Sequence, residues 1–324
     1  MEIVVLDGYT LNPGDLSWDE IGKFGELTVY DRTTPNEIVE RTRKAEIILT
    51  NKAPVSAITL EKLPDLKFIT VMATGYDIVD IAAAGRRGIP VSNVPEYGTD
   101  SVAQFVFALL LELCHHVGAH QEAVQSGEWT ESPDWCFWKT PQILLKDKKL
   151  GIVGFGRIGR RVGELAHAFG MEVMAFDPLS QKRPAYSSFH WKSLREIFAE
   201  ADVVTLHCPQ IEDNVGFVND KLLALMKKEA FFINAARGGL VNENALADAL
   251  NNGSIAGASV DVVSVEPIQP DNPLLYARNC LISPHIAWAT LGARQTLMAE
   301  TIKNIKAFIS GNNINIVNKE YLKD

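Results

Sequence analysis

The alternation of short apolar runs with helix-length segments constrains the fold of this 324-residue chain more than any other feature. Such alternation is typical of parallel sheets covered by helices on both faces. The runs form two series, so the pattern predicts an α/β protein. The first series comprises Ile3–Leu6, Leu27–Tyr30, Ile47–Thr50, Phe68–Met72 and Val91. The second comprises Lys149–Val153, Glu172–Phe176, Val203–Leu206, Ala230–Ile233, Ala256–Val260 and Cys280–Ile282.

A long helix predicted over Asp100–Cys114 separates the two series, and an irregular, Trp-rich segment from Gly127 to Pro141 follows it. Two interpretations of this segment stay open. It is a surface loop whose aromatic side chains pack into the nearest core, or it contacts a partner subunit, since Trp is enriched at interfaces. Further helices are predicted over Ile158–Phe169, Asp220–Met226, Glu243–Asn251 and Leu291–Ile309.

Composition and charge exclude several classes of function. The chain has 40 Asp+Glu against 31 Lys+Arg, a net charge of −9, and no basic run, so nucleic acid and anionic membranes are poor partners. The four cysteines show neither CxxC nor zinc spacing, which predicts a reducing compartment and no metal site. The apolar stretch Ser101–Cys114 is too short to span a bilayer, and a strand pattern begins at once without a signal peptide. We therefore expect a cytoplasmic protein.

A glycine motif, GxGxxG, lies between a predicted strand and a predicted helix. Gly154 would allow the tight turn, Gly156 the approach of a pyrophosphate, and Gly159 close packing of helix on strand. The helix N-terminus would then offer free N–H groups to the phosphates. Asp177 ends the next strand at the usual distance of about 20 residues, where it would bind the ribose hydroxyls and repel a 2′-phosphate. The motif therefore predicts NAD rather than NADP.

Four polar segments follow later strands, where ligands of open α/β sheets bind. Each has a plain structural interpretation as well as a functional one. His207 could be a buried histidine and Arg237 part of a surface ion pair, while Glu266 could be a turn carboxylate and His285 a helix cap. An arginine, a carboxylate and a histidine at successive strand ends, beside a dinucleotide motif, favour the functional interpretation. The segments are Leu206–Pro209, Asn234–Gly239, Asp261–Pro267 and Ser283–Trp288.

Several motifs together carry a resemblance to a known family: Ala73–Asp80, Asn93–Pro95 with Thr99–Gln104, Gly154–Gly159, Asn234–Gly238, Asp261 with Glu266-Pro267, and Pro284–Ala287. They resemble those of the D-isomer-specific 2-hydroxyacid dehydrogenases over nearly the whole chain. Within that family, Thr99–Gln104, the Cys136–Trp138 region and Gly154–Gly159 most resemble the glycerate dehydrogenase (hydroxypyruvate reductase) branch. One departure is Val262-Val263-Ser264, where many members carry an aromatic residue after the Asp. These are packing positions, so the departure leaves the catalytic set intact.

The resemblance implies two doubly wound parallel-sheet domains with the active site between them. A flavodoxin-like substrate domain would comprise residues 1–99 and 288–324, and a Rossmann cofactor domain, residues 100–287, would be inserted in it. It also implies a homodimer, with residues 100–141 as the dimerisation helix and arm. The reaction would be NAD-dependent reduction of a small 2-oxo acid, hydroxypyruvate or glyoxylate, to the D-2-hydroxy acid, and its reverse.

The chemistry assigns a role to each candidate residue. His285 would be the general acid, Glu266 would hold its other ring nitrogen, and Arg237 would bind the substrate carboxylate or carbonyl oxygen. Backbone N–H groups of Thr74 and Gly75 would complete the carboxylate site, and Asp261 would contact the nicotinamide carboxamide. The full predicted cofactor set is Thr99, Ala103, Gly154, Gly156, Arg157, Ile158, Gly159, Asp177, His207, Cys208, Pro209, Ala235, Ala236, Arg237, Asp261 and His285.

Two alternatives stay open at this point. Relatives of this fold serve as corepressors, so the chain could be an NAD-sensing regulator without turnover, although the Arg237, Glu266 and His285 set argues against it. Within enzymes, the substrate could be formate, phosphite or a ketogluconate, because pocket shape decides specificity. Activity with any 2-oxo acid separates the regulator from the enzyme.

Overall fold

A computed structural model of the chain describes residues 1–179 and 182–322, which form two compact units. Unit 1 consists of Met1–Gly98 and Ala289–Asp324, and unit 2 of Thr99–Trp288. Each unit contains one parallel sheet, of five strands in unit 1 and seven in unit 2. The predicted α/β class with parallel sheets is confirmed.

The sheet of unit 1 has the strand order β2-β1-β3-β4-β5, a doubly wound arrangement of the flavodoxin type. The long helix α11 belongs to this unit, where Phe308 stacks on Phe68 of β4 with ring centroids 4.5 Å apart. The strands are β1 Glu2–Val5, β2 Glu26–Val29, β3 Ile47–Thr50, β4 Phe68–Val71 and β5 Val91–Ser92. The helices are α1 Asp19–Gly22, α2 Ile38–Thr42, α3 Ala57–Glu61, α4 Ile81–Arg86 and α11 Leu291–Ile309.

The sheet of unit 2 has the order β12-β11-β10-β9-β6-β7-β8, the Rossmann order with one further strand at its edge. Consecutive strand residues such as Ile152 and Val153 enter different buried clusters, so each face of the sheet has its own core. The strands are β6 Lys149–Val153, β7 Glu172–Phe176, β8 Phe189–Trp191, β9 Val203–Leu206, β10 Phe231–Asn234, β11 Gly257–Val260 and β12 Cys280–Ile282. The helices are α5 Thr99–His115, α6 Val117–Gln125, α7 Arg157–Ala168, α8 Leu194–Glu200, α9 Asp220–Leu223 and α10 Glu243–Asn251.

The Trp-rich segment after α6 contains neither helix nor strand in the structure, as predicted. Its tryptophans do not pack into a core of the chain, because Trp129, Trp135 and Trp138 are 52%, 87% and 67% exposed. Of the two interpretations, the structure therefore contradicts aromatics packed into the nearest core.

Among the described residues, no single helix combines the length and apolar character that crossing a membrane requires. In the described part of the chain one pair of helices, α5 and α6, passes that test when taken together, and the two helices are bent by 55°.

Candidate active site

The glycine loop between β6 and α7 has the close contacts that the motif predicts. Gly154 has φ +92°, and a Cβ there would lie 2.4 Å from the Cys208 backbone nitrogen. A Cβ on Gly159 would lie 2.1 Å from the Gly154 carbonyl oxygen. Gly156, the N-cap of α7, faces open space, with nothing within 4 Å of its Cβ position. The loop therefore leaves room for a phosphate at the N-terminus of α7, whose first residues are Arg157 and Ile158.

Asp177 follows β7 directly and holds the glycine loop in place. Its Oδ2 accepts a hydrogen bond of 2.8 Å from the Phe155 backbone N–H, and its Oδ1 accepts one of 2.8 Å from the Leu179 N–H. A carboxylate can accept more than one hydrogen bond at each oxygen, which is the chemistry that binding of ribose hydroxyls requires. The carboxylate is thus tied to the loop that would cradle the pyrophosphate.

His207 and Cys208 follow β9, beside the glycine loop, and both are uncharged near neutral pH. The His207 N–H donates to the Val153 carbonyl over 2.7 Å, and its Nε2 shares a hydrogen bond of 3.0 Å with Thr205 Oγ1. Burial lowers the pKa of His207 to about 3. Burial also raises the pKa of the Cys208 thiol to about 11, so a thiolate is not populated. With Pro209, these residues can form an uncharged wall of the cofactor site.

The lowered pKa of His207 predicts a pH dependence of folding. The unfolded histidine binds its proton near pH 6.5 and the folded one near pH 3, so stability is complete above 6.5 and declines as the pH falls towards 3. In His207→Gln the free energy of unfolding, measured by urea titration, should fall less between about pH 7 and about pH 4.5. The matched control is His190→Gln, an exposed histidine whose replacement should leave the wild-type slope. Equal slopes in wild type and His207→Gln would contradict the prediction.

Arg237 lies in a turn that Asn234 closes at the end of β10. Asn234 is 1% exposed; its Oδ1 accepts from the Ala236 N–H at 3.1 Å and its Nδ2 donates to the Arg237 carbonyl at 2.9 Å. The guanidinium donates from Nη1 to the Ala236 carbonyl at 2.7 Å. Within the part of the chain that the structure describes, Arg237 forms no ion pair, so its positive charge is available to an anionic ligand.

Asn234, which fixes the turn of Arg237, was not among the site residues predicted from the sequence. The available signal was a polar residue at the carboxyl end of an otherwise apolar strand, Phe-Phe-Ile-Asn. Gly238 brings the same turn against the neighbouring loop, because a Cβ there would lie 1.9 Å from the Val263 carbonyl carbon. The turn that carries Arg237 and the loop that carries Glu266 are therefore in backbone contact.

His285 and Glu266 form a hydrogen-bonded pair at the end of the sheet. His285 Nδ1 lies 2.7 Å from Glu266 Oε2, and the two side chains are 26% and 32% exposed. Because a carboxylate only accepts, Nδ1 carries the hydrogen and Nε2 is the atom left for a substrate. His285 does not cap a helix, since α11 begins at Leu291 with Thr290 as its N-cap.

Asp261 holds the segment around His285 through one side-chain and two backbone hydrogen bonds. It is 1% exposed, and it accepts hydrogen bonds from Ser283 Oγ at 2.6 Å, the Ile286 N–H at 2.9 Å and the Ala287 N–H at 2.8 Å. Burial raises the pKa of the Asp261 carboxyl, while these bonds and the charge of His285 act in the opposite direction. The buried carboxylate of Asp261 therefore fixes the residues next to His285, and the exposed carboxylate of Glu266 binds the His285 ring.

The remaining predicted site residues lie in both units. In unit 1, Thr74 follows β4; its Oγ1 donates to the Val94 carbonyl at 2.9 Å, and its own carbonyl accepts from Asn93 Nδ2 at 2.7 Å. The backbone N–H groups of Thr74 and Gly75 donate to none of the described residues. In unit 2, Thr99 begins α5 and Ala103 is buried in the same helix. The described residues contain no group of His, Cys, Asp or Glu that could hold a metal ion.

Comparisons with known proteins agree with this geometry. Residues 107–287 match the family model of the D-isomer specific 2-hydroxyacid dehydrogenase NAD binding domain. The chain is 47% identical to a hydroxypyruvate reductase of Blautia hydrogenotrophica over 98% of its own length and 100% of the relative's. It is 39% identical to a glycerate dehydrogenase of Methylorubrum extorquens, over 98% of each chain.

A solved structure gives the same result. The D-lactate dehydrogenase of Aquifex aeolicus, complexed with NAD and lactic acid, superposes with a TM-score of 0.85 at 28% identity. The match covers 98% of this chain and 99% of that one. The resemblance that the sequence motifs predict is confirmed, and the chain belongs to the D-isomer specific 2-hydroxyacid dehydrogenases.

Proposed function

We propose that this chain reduces hydroxypyruvate or glyoxylate to the corresponding hydroxy acid with NADH, D-glycerate in the case of hydroxypyruvate, and catalyses the reverse reaction. The observation that carries the proposal is the 2.7 Å pair of His285 and Glu266 beside the Arg237 turn, at the sheet edge that also bears the glycine loop. The choice of substrate is supported by the hydroxypyruvate reductase and glycerate dehydrogenase among the relatives.

The proposed mechanism divides the work among three side chains. When bound, NADH supplies the hydride. Arg237 presents a planar fork that holds the substrate's carboxylate or carbonyl oxygen and draws electron density from the carbonyl carbon. His285 gives a proton from Nε2 to the oxygen that becomes the hydroxyl, and it takes that proton back in the reverse reaction. Glu266 keeps the hydrogen on Nδ1 and stabilises the charged ring.

Each unit contributes its own part to this proposal. Residues 100–287 would form the cofactor domain, with the phosphates at Gly156 and the N-terminus of α7, and the ribose at Asp177. Residues 1–99 and 288–324 would form the substrate domain, in which Thr74 and Gly75 offer backbone N–H groups to a carboxylate. The open space at Gly156 and the position of the Asp177 carboxylate at the end of β7, bonded to the same loop, fit a dinucleotide.

Initial rates of NADH oxidation with glyoxylate, hydroxypyruvate, pyruvate and 2-ketogluconate test the proposal directly. We expect the highest kcat/KM with hydroxypyruvate or glyoxylate. Absence of turnover with every 2-oxo acid, together with NADH-dependent binding of a partner peptide, would instead identify a regulator. Oxidation of formate or phosphite with NAD would show that the enzyme acts on a different class of substrate.

Asp177 should determine the preference for NADH over NADPH. Asp177→Ala removes the carboxylate that would bind the ribose hydroxyls and repel a 2′-phosphate, so kcat/KM should fall with NADH and rise with NADPH. Because Asp177 also accepts from the Phe155 N–H, Asp177→Asn, which keeps an acceptor but loses the charge, separates loop support from repulsion. We expect Asp177→Asn to raise kcat/KM with NADPH. It should lower kcat/KM with NADH less than Asp177→Ala does. A wild type that uses both cofactors equally would contradict this role.

We also infer a homodimer whose contact includes the Trp-rich segment. The support is the exposure of Trp135 and Trp138, at 87% and 67%, in a segment without helix or strand.

All four cysteines are free, which supports a reducing compartment such as the cytoplasm.

Removing the two most exposed tryptophans of this segment should weaken the dimer. An aromatic hot spot at an interface is worth about 2 kcal/mol or more, so Trp135→Ala with Trp138→Ala together should cost about 4 kcal/mol and raise the dimer dissociation constant by about 10³-fold. Light scattering over a concentration series measures this change. Tyr276→Ala, at an aromatic that is 76% exposed outside the segment, is the matched control. A wild type that is monomeric at micromolar concentration would contradict the dimer.

A further inference from the structure

One carboxylate outside the proposed catalytic set holds the loop that carries Glu266. Glu243 Oε1 accepts from the Ser264 N–H at 2.7 Å, and Glu243 Oε2 accepts from Ser264 Oγ at 2.8 Å and from Asn272 Nδ2 at 3.0 Å. Glu243 is the first residue of α10, which begins 21 residues before Ser264 in the sequence. The three hydrogen bonds therefore fasten the segment 264–272 to the N-terminus of a helix.

The two ends of this segment are fixed, whereas its middle is exposed. Asn272 is 7% exposed, and its Oδ1 also accepts from the Leu274 N–H at 3.0 Å, which starts a short 3-10 helix over Pro273–Tyr276. Between the two ends, Val265 is 55% exposed, and Glu266 and Pro267 are exposed as well. Ile268 packs against the buried core of unit 2, so the exposed stretch that Glu243 holds from its other side is Val265 to Pro267.

Glu266 bonds to the His285 ring and lies two residues after Ser264. The Val263 N–H lies 3.4 Å from Glu266 Oε1, at the long limit for a hydrogen bond, while Glu266 Oε2 lies 2.7 Å from His285 Nδ1. A short bond to His285 requires that the loop backbone stay within about 0.5 Å of one position. The two hydrogen bonds from Ser264 to Glu243 restrain the backbone at that distance along the chain.

We propose that Glu243 is a positioning residue for the reaction: through Ser264 and Asn272 it holds the loop so that Glu266 stays within hydrogen-bond reach of His285. The inference rests on the proposed function of His285 and Glu266. The proposal also assigns a role to Ser264, which was expected to be a packing position. The Ser264 N–H and Oγ donate two of the three hydrogen bonds to Glu243. Glu243 touches neither substrate nor cofactor in this scheme.

A purely structural role would be the stabilisation of α10 by a carboxylate in its first turn, which favours the positive end of the helix dipole. The two roles predict different kinetics. A helix-stabilising Glu243 would change the melting temperature and leave kcat of the folded enzyme unchanged. A positioning Glu243 would lower kcat in folded enzyme.

Three variants compare these roles in the full-length enzyme. A misplacement of about 1 Å in a catalytic group can cost about 10²-fold, so we expect Glu243→Ala to lower kcat for hydroxypyruvate by about 10- to 100-fold, with KM for NADH unchanged. Ser264→Ala keeps the charge of Glu243 and loses one of the three bonds, so it should lower kcat by less. Glu196→Ala is the matched control, because Glu196 also accepts from the N–H and Oγ of a serine, Ser193, in the first turn of α8. That control should leave kcat at the wild-type value.

A double-mutant cycle then tests whether Glu243 acts through Glu266. In the Glu266→Ala background no carboxylate remains to be positioned, so adding Glu243→Ala should have no further effect on kcat. Independent losses that multiply would overturn the inference, and so would an unchanged kcat in folded Glu243→Ala. The failure of the proposed function looks different, because wild type itself would then show no turnover with any 2-oxo acid.

Discussion

Replacing His285 with alanine should lower kcat/KM for reduction by about 10²–10⁴-fold, the usual contribution of a positioned general acid. Glu266 holds Nδ1 of His285 at 2.7 Å, so Nε2 is the atom that delivers the proton in the proposed mechanism. The loss should appear with every 2-oxo acid that the wild type accepts, since each needs the same proton. Stopped-flow rates of NADH oxidation measure it.

The matched control is His190→Ala. His190 also lies near a carboxylate, with its Nε2 3.6 Å from Glu172 Oε1, but this pair belongs to β8 and β7, away from the predicted set. We expect His190→Ala to retain wild-type kinetics. A His285→Ala enzyme with more than about one tenth of the wild-type rate would remove His285 from the role of general acid.

Glu266→Gln probes the charge on the partner of His285. Glutamine can still accept the hydrogen bond from Nδ1 but carries no negative charge to stabilise the charged ring. In the oxidation direction the ring takes up a proton from the hydroxy acid, so kcat/KM for oxidation should fall in Glu266→Gln. Initial rates of NAD reduction with the hydroxy acid measure this change. An unchanged kcat/KM would make Glu266 a structural residue.

The fold was predictable from the sequence because most of its strands are buried on both faces. The runs Ile47–Leu49 and Leu150–Val153 are apolar throughout, and the observed strands Ile47–Thr50 and Lys149–Val153 have the predicted bounds. The helices over Glu243–Asn251 and Leu291–Ile309 also end where the sequence pattern predicts. The strand Phe189–Trp191 was missed, because three residues at the sheet edge with an exposed histidine in the middle give no recognisable pattern.

The candidate site was predictable only in part. His285, Glu266 and Arg237 stand in motifs at strand ends, and the structure brings the first two together. The long-range contacts that hold them have no local signal, even where the residue itself, such as Asp261, was predicted. Glu243 reaches Ser264 across 21 positions, and Asp261 reaches Ala287 across 26, so these contacts exist only once β10, β11 and β12 are side by side.

Arg237→Lys should be far from conservative. Lysine keeps the positive charge but loses the planar fork that binds a carboxylate through two parallel hydrogen bonds. A hydrogen bond to a charged group contributes about 1.5–3 kcal/mol, so losing one should reduce kcat/KM by about 10- to 150-fold. We expect KM for the 2-oxo acid to rise and kcat to fall together, because the same fork binds the substrate and polarises its carbonyl. KM for NADH serves as the internal control and should change little.

Chemical rescue distinguishes a lost contact from a disturbed turn. Arg237→Ala removes the guanidinium, while the bonds that Asn234 makes to the backbone of Ala236 and Arg237 remain possible. Guanidinium ion added at millimolar concentration should therefore restore part of the activity of Arg237→Ala, and the corresponding Arg195→Ala control, on α8, should need no rescue. Wild-type kinetics in Arg237→Lys would show that the planar guanidinium of Arg237 does not act on the substrate. An inactive Arg237→Ala enzyme that guanidinium does not rescue at any concentration below denaturation would show the same. In that case the positive charge that a 2-oxo acid requires must come from another residue at this edge of the sheet.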